Sequence, residues 1–151
     1  MERIQSFCVD HDLIIPGVYI SRIDGDIVTY DMRTRKPNAG HYMDNLTMHS
    51  VEHMFATYIR NSAIADSVIY FGPMGCRTGF YLLVRNEAPT TVLAEILATL
   101  DRIVNHDGEM FGASQKECGN YRELSLDAAK AECASYLTVL KNRDNDFQYP
   151  S

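Results

Sequence analysis

The sequence predicts an α+β fold, an antiparallel β-sheet packed against α-helices within a single domain spanning residues 1–151. Three observations carry this. Strand-like segments come in local pairs, separated by turn or glycine-rich loop signals. Segments with the 3.6-residue apolar period are interspersed without a repeated strand–helix–strand alternation. A chain of 151 residues suits one domain and buries enough surface to fold without disulfide staples.

The elements follow in order. Gly17 to Arg22 reads as a strand, Asp24-Gly25 as a turn and Ile27 to Arg33 as the paired strand. Lys36-Pro37-Asn38-Ala39-Gly40 is a loop. From Leu46 to Ala63 the period turns helical, with Val51, Met54, Phe55, Tyr58 and Ser62 on one face. Ser67 to Phe71 and Thr78 to Val84 read as strands around Gly72-Pro73-Met74-Gly75-Cys76. Thr90 to Val104 is a second helix, with Pro89 at its start, and Asn105 to Asn120 is irregular. Leu126 to Lys141 is a third helix, with Ser125 as N-cap and Asp127 favourable in its first turn. Residues from Asn142 to the end read as a polar tail.

Composition narrows the function classes. Apolar content of 46% and charged content of 23% are those of a globular protein. The net charge of -6, with no basic cluster, argues against nucleic acid and against anionic membrane surfaces. No stretch approaches the apolar length of a membrane span, and the N-terminus lacks a signal-peptide core, so a cytoplasmic protein is expected. Cys8, Cys76, Cys118 and Cys133 form no C-x-x-C pair. In a reducing compartment such cysteines pack, bind metal or react rather than bridge. Cys8, beside Phe7 and Val9, and Cys133, beside Ala131 and Ala134, are expected to pack; His41 and His106, in polar loops, are expected to be exposed.

His49-Ser50-Val51-Glu52-His53 fits H-x-x-E-H. On a helix the two imidazoles sit about 40° apart around the axis, so both can grip one ion. Glu52 lies about 100° from His53, able to reach the site without taking the same position. Arg60 falls between the two histidines in angular position, two turns on, and is a candidate substrate contact. The apolar stripe lies opposite, so the histidine face lines a cleft or meets another subunit. Two histidines do not complete a site. Cys76, Cys118, His11, His41 and a carboxylate are all candidates for the third ligand, and composition does not choose among them.

Several segments together resemble one family, the S-ribosylhomocysteine lyases (LuxS). They are Ser6-Phe7 with Asp10-His11, Asp31-Met32-Arg33 with Pro37-Asn38, the H-x-x-E-H segment, Gly72-Pro73-Met74-Gly75-Cys76-Arg77-Thr78-Gly79-Phe80-Tyr81, and Cys118-Gly119-Asn120-Tyr121. They occur in the family's order and cover nearly the whole chain. The resemblance implies that His49, His53 and Cys118 are metal ligands, that Cys76 and Glu52 are catalytic, and that Ser6, His11 and Arg33 lie near substrate. It further implies a homodimer with active sites at the subunit interface. Two departures stand out. Tyr70-Phe71-Gly72 replaces a common D-I-S, and Leu124 replaces a common histidine.

The activity so implied cleaves the thioether of S-ribosylhomocysteine, giving homocysteine and 4,5-dihydroxy-2,3-pentanedione, precursor of the signalling molecule autoinducer-2. A carbonyl migrates along the ribose and the thiol then leaves by β-elimination. Such proton shifts need a Lewis acid and acid–base groups, expected here as one divalent metal per subunit with Cys76 and Glu52. A ligand set with a thiolate suits Fe(II), Zn(II) or Co(II) rather than Mg(II) or Ca(II), and the resemblance implies Fe(II). The bound cation is expected to favour negative charge on Cys76, and adjacent Arg77 is a candidate to help if its side chain points inward. Arg33, read from sequence alone, is a solvated strand-end arginine. An alternative for H-x-x-E-H is an inverzincin-like metallopeptidase, with Glu52 activating a metal-bound water. A non-enzymatic structural zinc module is less compatible, because closed sites favour paired cysteines.

Overall fold

The computed structural model describes residues 1–151. Four strands form one antiparallel sheet in the order β1-β2-β4-β3. These are β1 (Gly17–Asp24), β2 (Ile27–Arg33), β3 (Val68–Pro73) and β4 (Gly79–Arg85). Three helices, α1 (Asn45–Ile59), α2 (Pro89–Val104) and α3 (Leu126–Lys141), pack on one another, with α1 against β3 and α3 against β1. The expected α+β architecture is present. No helix is long and apolar enough to cross a membrane.

Period-two alternation decides which side of the sheet is the core. Tyr30 and Met32 of β2 point at the helices, beside Phe80, Leu82 and Val84 of β4. Val51, Met54, Phe55 and Ile59 of α1 meet them, with Val92, Ile96 and Leu100 of α2 and Cys133, Tyr136 and Leu140 of α3. Gly25 at φ +62 opens the two-residue turn between Asp24 and Ile27, where a left-handed backbone needs no Cβ. Pro73 closes β3, which tolerates it because β3 is an edge strand.

Several expectations change. The first helix stops at Ile59 rather than Ala63. There Asn61 Nδ2 donates to Thr57 O at 2.7 Å and Ser62 Oγ to Ile59 O at 2.6 Å, so polar side chains take the last carbonyls and end the helix. Tyr58 is half-buried, packs against the edge of the core and meets the ring of His106, which is half-buried rather than exposed. Cys8 is exposed, while Cys133 is buried as expected.

A further change concerns the chain after Asn142, which is docked on the sheet rather than a simple polar tail. Ile20 N donates to Phe147 O at 2.8 Å, and Phe147 packs against the core and edge-on to Tyr30. Tyr149 stacks on Tyr19, ring centroids 4.8 Å apart.

Candidate metal and catalytic site

Helix α1 begins where Asp44 accepts a bond from Thr47 N at 2.8 Å. The Thr47 side chain, and then this backbone bond, hold the Asp44 carboxyl below its usual value. The helix then presents His49 and His53 one turn apart, rings 4.6 Å apart and nearly perpendicular. Each ring is fixed by a backbone carbonyl from the long segment between α2 and α3. His49 Nδ1 lies 2.9 Å from Glu123 O, and His53 Nδ1 lies 2.9 Å from Phe111 O. A carbonyl only accepts, so each Nδ1 carries the proton and each Nε2 keeps a free lone pair.

The same segment delivers Cys118, whose Sγ lies 3.3 Å from His49 Nε2. One donor atom from each of His49, His53 and Cys118 falls within 4.8 Å of the others. A thiolate and an imidazole bound to one tetrahedral ion stand about 3.6 Å apart. The three residues therefore fit a divalent cation in both spacing and chemistry. Of the third-ligand candidates, Cys118 is the one placed here.

Two contacts brace the ligands. Phe111 is wedged against Tyr58 and His106, ring centroids 5.2 and 4.8 Å away, which fixes the carbonyl that His53 uses. Gly112 adopts φ +67 against the His53 ring, where any Cβ would sit 2.8 Å from Nδ1. At the other end, Ser50 Oγ donates to Leu46 O and accepts from Ser125 N at 2.8 Å. The small residue inside H-S-V-E-H thus anchors the start of α3.

Glu52 is half-buried, and its carboxylate makes no hydrogen bond or ion pair within the chain. Cys76 sits at the exposed turn between β3 and β4. Gly79 lets that turn lie on β2, since a Cβ there would meet Met32 O at 2.6 Å. Cys76 Sγ is 3.1 Å from Thr78 Oγ1 and 4.0 Å from Arg33 Nη1, and Arg33 Nη1 also donates to Thr78 Oγ1 at 2.8 Å.

Arg33 is therefore not a solvated strand-end residue; it is 2% exposed. Its partner is Asp31, 1% exposed, engaged through two bonds of 3.0 and 2.6 Å. Burial works against the guanidinium's charge, but the Asp31 bonds outweigh it and leave its pKa above the usual value. Arg77, the neighbour in sequence, instead lies over the Tyr42 ring, 5.7 Å from its centroid. The cation beside Cys76 comes from Arg33.

The remaining candidates lie elsewhere. Arg60 caps α1 and donates to Val68 O and Ile69 O, tying the helix end to β3. Ser6 is in a short 3-10 turn, Gln5–Phe7, and His11 follows it with Nδ1 2.9 Å from Val9 O. Neither makes a hydrogen bond to Cys76 or to the three ligands. Sequence reasoning missed Asp31, Thr78 and Tyr149. Asp31 carries a signal, being two residues from Arg33 on a strand and so on the same face.

This arrangement defines a mononuclear cation site with two imidazoles and one thiolate. Residues 4–146 match the family described as S-ribosylhomocysteinase (LuxS). The S-ribosylhomocysteine lyase of Borreliella afzelii (strain PKo) is 41% identical over 99% of this chain and 100% of its own. That of Clostridium beijerinckii is 40% identical over 100% of both chains, and that of Finegoldia magna 39% identical over 99% of both. The chain belongs to the LuxS family.

Proposed function

We propose that this chain is an S-ribosylhomocysteine lyase, converting S-ribosylhomocysteine to homocysteine and 4,5-dihydroxy-2,3-pentanedione. The observation that carries the reading is the convergence of His49, His53 and Cys118 in a chain of this family. A cation held by these residues supplies Lewis acidity, which makes C–H groups beside the sugar carbonyl acidic enough to lose a proton. A donor set with one thiolate and two imidazoles suits Fe(II), Zn(II) or Co(II), and the resemblance to the family favours Fe(II) among them. The third donor is a cysteine rather than a carboxylate, so neither the site nor the family supports the metallopeptidase reading.

The chain's own groups move the protons. Cys76, with Arg33 and Thr78 beside its sulfur, takes a proton from one sugar carbon and returns it to the next as the carbonyl migrates. Glu52 takes the proton whose removal starts the β-elimination and returns one to the departing homocysteine sulfur. The reaction needs no oxidant and no water. Arg33 has most of its donors committed to Asp31 and Thr78, so it orients the site more than it grips substrate. Ser6, His11 and Arg60 remain proposed substrate contacts, Arg60 while also donating to Val68 O and Ile69 O of β3. Exposed Ile4, Phe7, Leu13 and Ile15 around Ser6 and His11 support burial of this segment in a homodimer.

The test uses protein loaded anaerobically with Fe(II). Thiol release from S-ribosylhomocysteine is followed for the wild type, Cys76→Ala and Glu52→Gln. Both variants are expected to keep their metal and lose turnover by at least about a thousandfold. Absence of thiol release from a metal-loaded wild type would overturn the assignment. Turnover surviving in either variant would remove that residue from the mechanism. The wild type is expected to sediment at twice the 17.1 kDa chain mass, and a monomer would rule out the shared site.

A further inference from the structure

The C-terminal segment ends on the far side of the sheet from the helices. By strand alternation Tyr19 and Asp31 face away from Tyr30 and Met32, and register places Tyr19, Asp31 and Tyr81 in one row across β1, β2 and β4. A buried carboxylate on such a face needs every lone pair engaged. Arg33 supplies two donors to Asp31. The third is Tyr149, whose hydroxyl donates to Asp31 Oδ2 at 2.7 Å. Burial, then the Asp31 charge, push Tyr149 well above the usual tyrosine range, so it stays a donor.

Tyr149 is itself braced. Its ring stacks on Tyr19, whose hydroxyl donates to Ile15 O at 2.6 Å. Arg143 reaches the same corner through Pro16 O and Tyr19 Oη. A continuous set of contacts thus runs from the last residues through Asp31 to Arg33, and from Arg33 to Thr78 and the Cys76 sulfur. Tyr149 lies beyond residues 4–146, the span matched to the family.

We infer that Tyr149 is a positioning residue for the reaction, acting through Asp31 to hold the Arg33 guanidinium against Thr78 and Cys76. This rests on the reading that Cys76 carries protons. Without the hydroxyl, Asp31 Oδ2 keeps one donor fewer and draws Arg33 toward itself, away from the sulfur. The charge beside the sulfur then weakens and becomes less well aimed.

The experiment uses metal-loaded Tyr149→Phe, which keeps the stacked ring and deletes only the hydroxyl. Alkylation of Cys76 by iodoacetamide is read on its own peptide by mass spectrometry, and turnover is measured on the same protein. Alkylation rate and kcat are each expected to fall about fivefold, with KM and metal content within about twofold of wild type. In an Arg33→Lys background the same change is expected to add less than about twofold, because both variants interrupt one connection. A purely structural role would lower the melting temperature while leaving alkylation within about twofold of wild type, and that result overturns the inference. So would full additivity with Arg33→Lys. The alkylation readout needs no substrate, so a wild type without thiol release would refute the proposed reaction and leave this test standing.

Discussion

Substituting Gly112 by alanine tests whether the loop after α2 sets the metal site through His53. The added Cβ would stand 2.8 Å from His53 Nδ1 and 3.1 Å from Cε1. The ring must retreat by about 0.6 Å to reach ordinary contact, or the loop must give way. Either movement stretches the 2.9 Å bond between His53 Nδ1 and Phe111 O. The left-handed backbone at φ +67 adds about 1 kcal/mol of strain for any residue with a Cβ. Loss of such an orienting bond weakens metal binding by about ten- to a hundredfold, or roughly 1.4–2.8 kcal/mol. The assay is competition for Co(II) or Zn(II) against a chromophoric chelator, with thermal melts of the metal-free protein alongside. Gly119→Ala is the control. It adjoins the ligand Cys118, yet its Cβ would meet nothing within 4 Å. Metal affinity for Gly112→Ala within about twofold of wild type would refute the reasoning, as would an equal loss in Gly119→Ala.

Two further outcomes concern the core. The Tyr30 hydroxyl is buried without a partner, so Tyr30→Phe is expected to stabilise the fold by about 1 kcal/mol in urea titrations; a loss of stability would show that the hydroxyl is satisfied. Burial pushes the Cys133 thiol from 9.0 up to about 12. The folded chain therefore keeps this proton to higher pH than the unfolded chain does. The associated stability is complete below pH 9.0 and drains away as pH rises towards about 12. Between about pH 8 and about pH 10 the wild type should lose roughly 1 kcal/mol more than Cys133→Ala. Parallel pH profiles for the two proteins would sink this account.

The strands, helices and caps were legible because their causes are local. Ser125 accepts from Ala128 N, as an N-cap should, and the α3 boundaries coincide with the periodic segment. The paired histidines were legible for the same reason, since one turn of helix sets their separation. Errors appear where a distant partner decides. Arg33 looks solvated from its neighbours, yet Thr78 and, through Asp31, Tyr149 enclose it from 45 and 118 residues away from their respective partners. Tyr149 looked like part of a polar tail because nothing in Asp144 to Ser151 hints at an aromatic shelf at Tyr19. Arg77 adjoins Cys76 in sequence, but its left-handed backbone at φ 63 accompanies a side chain laid over Tyr42. Cys118 was found only through resemblance, because a ligand on an irregular segment has no period to betray it.

Main-chain oxygens, not side chains, hold both imidazoles in place at this centre. No single codon change can delete a carbonyl. Residue 123 can consequently drift in identity provided the path of the loop survives, whereas Phe111 also sets that path by packing its ring against Tyr58 and His106. Insertions and deletions between α2 and α3 are the genetic lesions to which ion retention should be most sensitive, and alignments scored by residue identity alone will overlook that vulnerability.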